Sequence, residues 1–77
     1  MTLVCDNSVM DHIVDRFGED IETFPVDGKR FQASVMVTAS KPFFGWVFCF
    51  DGKVKIKGPA KVKREYEMML QKAVENN

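Results

Sequence analysis

The sequence predicts an α+β domain: a four-stranded antiparallel sheet in the order 4-1-3-2, two helices on one face, and an additional helix at the C-terminus. Three observations predict it. Asp27-Gly28 separates two β-rich runs and marks a hairpin; helix-forming stretches stand on either side of that hairpin; and a short alternating strand follows the second stretch. With right-handed crossovers, this order closes most simply into one two-layer domain over residues 1-77.

Thr2 to Cys5 is a short β-rich run in which Leu3 and Cys5 share one face. Asp6, Asn7 and Ser8 are all N-cap residues, and Val9, Met10, Ile13, Val14 and Phe17 then form one helical stripe opposite Asp11, His12, Asp15 and Arg16. Gly18 is placed to end this helix in a left-handed cap. Ile21 to Val26 and Phe31 to Ala39 are the arms of the hairpin. In the second arm Phe31, Ala33, Val35, Val37 and Ala39 face one way, which suits a sheet with one covered face. Phe31, Val35 and Val37 are therefore expected beneath helices carrying Ile13 and Val47. Pro25 cannot donate to a ladder, so the first arm belongs at an edge.

Ser40 to Asp51 is the hydrophobic centre, holding the only tryptophan, four of the seven phenylalanines and one of the two cysteines. Pro42 suits the first turn of a helix and Asp51-Gly52 its exit, which predicts a helix from Pro42 to Phe50. A strand in which Phe44, Trp46, Phe48 and Phe50 alternate is the competing reading. Lys53 to Lys57 alternates lysine with Val54 and Ile56, a strand with three lysines outward. Gly58-Pro59 opens the last helix, whose apolar stripe is Val62, Tyr66, Met69, Leu70, Ala73 and Val74. The complete order is that of a ferredoxin-like sandwich with an added helix.

Seventy-seven residues bury only roughly 60% of the unfolded surface, so stability is modest and a partner surface would help. Eleven basic residues balance eleven acidic ones, and net charge argues neither for nor against nucleic acid. The acids concentrate between Asp6 and Asp27 and the bases between Lys53 and Arg64. Cys5 and Cys49 lie in apolar sequence without CxxC spacing, which predicts two buried, slowly reacting free thiols, a reducing compartment and no zinc. With no leader, membrane run or lipidation motif in the sequence, the expected location is the cytoplasm.

Two blocks carry a family resemblance: Ile13-Val14-Asp15-Arg16-Phe17-Gly18-Glu19-Asp20, preceded by Met10-Asp11, and Ser40-Lys41-Pro42-Phe43-Phe44-Gly45-Trp46-Val47-Phe48, followed by Val54-Lys55-Ile56 and Pro59. The chain resembles the C-terminal extension (WCX) domain of WYL-domain bacterial transcriptional regulators. The resemblance spans nearly the whole chain. It implies a ferredoxin-like terminal module of a longer regulator, whose helix-turn-helix and Trp-Tyr-Leu motif have no counterpart among these residues. It also implies contacts with the WYL domain of the same chain and with a second subunit, no direct DNA contact by this segment, and a small-molecule or nucleic-acid effector for the regulator.

The residues themselves argue against catalysis. His12, with Ser8, Asp11 and Asp15 nearby, reads as the polar side of an amphipathic helix, since no second histidine exists to complete a metal or catalytic set. No catalytic, cofactor or metal residue is assigned, and an enzyme is not expected. Lys53, Lys55 and Lys57 form a basic strip that either meets phosphates or guards a sheet edge. The aromatic cluster either lines a small-molecule pocket or fills the core, and its surplus would form an interface. The interface candidates are Phe24, Met36, Phe43, Phe44, Trp46 and Tyr66. Self-association is expected through the sheet's open face or the aromatic helix. The reading is a non-enzymatic regulatory and oligomerisation module; the alternative is an ACT-like sensor that binds a metabolite at a dimer interface.

Overall fold

The computed structural model of the chain describes residues 1–76. Among them, strands β1 (Thr2–Asp6), β2 (Glu22–Pro25), β3 (Arg30–Ser34) and β4 (Val54–Gly58) form one sheet in the order β2-β3-β1-β4. Read from the opposite edge, the same order is β4-β1-β3-β2, and every neighbouring pair is antiparallel. Helices α1 (Met10–Phe17), α2 (Lys41–Phe48) and α3 (Ala60–Glu75) complete the domain, with a single 3-10 turn (Asn7–Val9) leading into α1.

The register sets Leu3 opposite Ala33 and Ile56, and Cys5 opposite Phe31 and Val54. Because strand side chains alternate, these six share one face, and all six are buried. Ile13 from α1 and Phe43, Phe44 and Val47 from α2 join them in a single apolar core. Burying each of the larger side chains stabilises the fold by about 1.5–3 kcal/mol. Phe31 and Val35 are buried as expected, whereas Val37 is only half-buried. The reason is that β3 stops at Ser34. Val35 exchanges hydrogen bonds with Met1, at 2.9 Å in both directions, and β2 pairs no further than Ser34, so the expected strand to Ala39 lacks ladder partners. Residues 35–40 continue as irregular chain.

Local chemistry explains the element ends. Asp6 Oδ1 accepts the Ser8 N–H at 2.9 Å, capping the 3-10 turn, and α1 follows from Met10. Gly18 has φ +93° and ψ 165°, so the expected left-handed helical cap is replaced by an extended exit toward β2, a conformation open to glycine alone. In the hairpin, Asp27 Oδ1 accepts the N–H groups of Lys29 and Arg30, and Asp27 Oδ2 pairs with the Arg30 guanidinium at 2.7 Å. β2 lies at the sheet edge with all four residues exposed.

The aromatic stretch is a helix, which removes the strand alternative. Ser40 Oγ accepts the Phe43 N–H at 3.3 Å, and Pro42 sits in the first turn, where no N–H is needed. α2 starts one residue before the expected Pro42 and ends at Phe48, because Cys49 and Phe50 already turn toward Asp51 (φ 53°) and Gly52 (φ 86°). α3 buries no residue. Val62, Tyr66 and Met69 pack against the core margin, but Ala73 and Val74 of the expected stripe are exposed. A helix of 16 residues is about 24 Å long, more than this small sheet can cover, and the molecule measures 37 × 23 × 21 Å.

Candidate functional site

The sheet's open face is built by the residues that alternate with the core set. Phe24, Gln32, Val4 and Lys55 form one row across the four strands. Lys57 Nζ reaches over β1 to Gln32 Oε1 at 3.0 Å. This face is largely polar: Phe24 is 55% exposed and Val4 half-buried, with exposed Val26 two residues after Phe24, just past the end of β2. Lys53, Lys55 and Lys57 are all exposed. Asp6 stands at the Lys53 end, and its carboxyl is held below the usual range by the Ser8 hydrogen bonds and then by Lys53 and Lys29. The strip therefore has a carboxylate beside it at that end. Met36 is fully exposed in the irregular segment after β3, apart from that row.

The other interface candidates divide differently from expectation. Phe43 and Phe44, 1% and 5% exposed, are core residues and not interface residues. Trp46 is half-buried beneath Arg16, whose guanidinium lies 4.8 Å above the ring, and it meets Phe17 edge-on at 5.7 Å and Phe50 at 4.9 Å. Tyr66 is half-buried against Phe44 at 5.4 Å, and burial raises its phenol pKa, with Cys49 adding to the effect. His12 is exposed, its ring 5.3 Å from Phe50. Cys5 is buried, and that burial pushes its thiol up to about 11, whereas Cys49 is exposed, contrary to the expectation of two buried thiols. Cys49 follows the last turn of α2, where the chain leaves the core.

The apolar surface lies elsewhere, along the seam of α2, α3 and β4. Two adjoining grooves of about 360 and 370 Å³ share Phe48 and Leu70. The first has a floor of Val54, Ile56, Tyr66, Phe48 and Leu70, with Asp51, Lys55, Lys63 and Glu67 also lining it. The second runs on along Gly45, Met69, Ala73 and Val74. Phe48 is 61% and Val74 74% exposed, large side chains left in water at the mouth of a groove. From sequence, Phe48 belongs to the aromatic cluster that either lines a pocket or fills the core, and Leu70 to the stripe of the last helix; neither is among the interface candidates. The available signal was that α2 is apolar on every side, so a two-layer core cannot absorb all of its aromatics. Among the described residues, no group of three or more His, Cys, Asp or Glu could hold a metal ion, and no helix is long and apolar enough to cross a membrane.

Compared with known protein families, curated proteins and solved structures, the chain matches none.

Proposed function

We propose that this chain is a ferredoxin-like, non-enzymatic regulatory and oligomerisation module of the WYL-regulator type. It acts in the bacterial cytoplasm by docking on a WYL domain and on a second subunit, without touching DNA itself. The observation that carries this reading is the apolar seam of Phe48, Leu70 and Val74 left open beside a closed core. Exposed apolar area of this kind marks a surface that another chain covers. Support for the fold name comes from the antiparallel neighbours β2-β3, β3-β1 and β1-β4 joined in βαββαβ order. Support for the family comes from the two sequence blocks.

The test is titration of the isotope-labelled chain with a purified WYL domain from a regulator of the same genome. Saturable amide shifts along the α2–α3 seam are expected, and a spectrum unchanged at several hundred micromolar would overturn the reading. The same seam could serve an ACT-like sensor, because its grooves fall within the small-molecule size range. A melting temperature that rises with an added metabolite at fixed protein concentration would favour the sensor; one that rises only with protein concentration favours the interaction module.

A further inference from the structure

We propose that the open face of the sheet is a docking trough for an acidic amphipathic helix of a partner protein. The face lies across the sheet from the apolar core, so the proposal goes beyond the interaction-module reading and does not depend on the α2–α3–β4 seam. The strand registers define its shape. Val4 and Gln32 lie opposite each other on the two middle strands, with Thr2 and Ser34 as the next pair on the same face. Lys53, Lys55 and Lys57 stand along the β4 side, and Phe24 and Val26 along the β2 side, all five exposed. Long side chains thus flank a floor of shorter ones. Three strand spacings of ~4.8 Å set the flanks about 14 Å apart, room for one helix of about 10–12 Å diameter. Both middle strands are already hydrogen-bonded to a strand on each side, so the floor offers a visitor no backbone partner. A helix, which satisfies its own backbone, suits such a floor, and an extended peptide does not.

Charge sets the pattern of that helix. Among the described residues, Lys53 and Lys55 make no side-chain hydrogen bond or ion pair, and Lys57 bonds only the neutral Gln32, at 3.0 Å. Alternate strand residues repeat every ~6.6 Å and helix residues four apart every ~6 Å, so acidic residues at i, i+4 and i+8 meet the three lysines in turn. An apolar stripe beside them covers Val4 and then Phe24 and Val26, which are 55% and 47% exposed in the free chain. A single-stranded nucleic acid fits less well. Phe24 is the one aromatic side chain on this face among the described residues, so successive bases find no stacking series. Asp6 and Glu22, at opposite ends of the same face, also oppose a continuous chain of phosphates.

The test is titration of the isotope-labelled full chain with a stapled synthetic helix of about 15 residues, carrying glutamate at i, i+4 and i+8 beside a leucine stripe. Saturable shifts at Val4, Phe24, Gln32 and Lys55 are expected, with a Kd of roughly ten to a hundred micromolar that weakens as salt rises. Lys55→Glu and Phe24→Ser, both at exposed positions, should melt close to the wild type and each bind the peptide about tenfold or more weakly. A peptide whose central glutamate is exchanged for lysine should bind Lys55→Glu to within a few-fold of the original pair. Absence of saturable shifts at several hundred micromolar, equal binding of a scrambled peptide of the same composition, shifts confined to other surfaces, or a single-stranded oligonucleotide that binds more tightly than the helix would each overturn the proposal. Titration with a WYL domain reads the α2–α3 seam instead, so either reading can fail while the other stands.

Discussion

The two cysteines show how a residue's chemistry follows from its place in the fold. Cys5 is on the core face of β1, packed among Phe31 and Val54, and its thiolate would have no solvent. Cys49 stands in water just after α2. One equivalent of an aromatic disulfide reagent should react promptly with the native chain, and a second only on unfolding; two fast equivalents would show that Cys5 is accessible. The same burial predicts a pH dependence. The unfolded thiol ionises near 9.0 but the folded one keeps its proton to about 11, so between these values the folded state binds more protons than the unfolded state. Stability is therefore complete below pH 9.0 and falls as pH rises toward about 11, by roughly 1–2 kcal/mol. Urea unfolding of the wild type and of Cys5→Ala as a function of pH checks this. Tyr66 loses stability in the same direction, since its phenol pKa is also raised, and the part of the slope that Cys5→Ala abolishes belongs to Cys5. An identical slope in both proteins would assign it elsewhere.

At the scale of elements, α2 decides the fold, and its energetics are unequal along its length. Ser40→Ala removes the oxygen that accepts the Phe43 N–H and should cost about 1 kcal/mol. Phe43→Ala empties a fully enclosed site and should cost about 3–5 kcal/mol, a large part of the stability of a domain this size. Phe48→Ala, compared at low protein concentration, should change stability by less than about 0.5 kcal/mol, because its ring is mostly in water. Denaturation midpoints for the three variants would test the ranking, and a loss at Phe48 equal to that at Phe43 would place Phe48 in the core. This inequality also explains what sequence could and could not reveal. The α1 stripe, the Asp27-Gly28 hairpin, the edge position of Pro25 and the lysine strand were legible because each has a clear period or a residue with one steric option. Nothing comparable separates Phe43 and Phe44 from Phe48, since a helix apolar all round has no phase to read. The second hairpin arm misled in another way. Side-chain alternation continues to Ala39, but ladder hydrogen bonds end where the neighbouring strands end, and pairing partners are not written in the strand itself.

Over the whole molecule, stability should decline from the sheet outward along α3. β1 is central, paired on both sides and covered by α1 and α2, so the amides of Leu3 and Cys5 should exchange only through global unfolding. α3 is attached differently. Val62, Tyr66 and Met69 hold its first two-thirds against the core margin, while every residue from Gln71 to Glu75 is exposed. In water an isolated helical segment of that length has little stability of its own, because helix nucleation is unfavourable and packing supplies most of the stabilisation. Hydrogen exchange at low micromolar concentration should therefore find the sheet strongly protected, the region around Tyr66 intermediate, and the amides of Lys72 to Glu75 almost unprotected. Docking of a second subunit on the seam of Phe48, Leu70 and Val74, as proposed for this chain, would add a further expectation. As concentration rises to several hundred micromolar, protection should grow in the C-terminal half of α3 and around Phe48, and hardly change at Leu3. Exchange in α3 as slow as that of β1 in the dilute monomer would mean that the helix is part of the core. A gain in protection confined to Phe24 and Gln32 would instead move the association surface to the open face of the sheet.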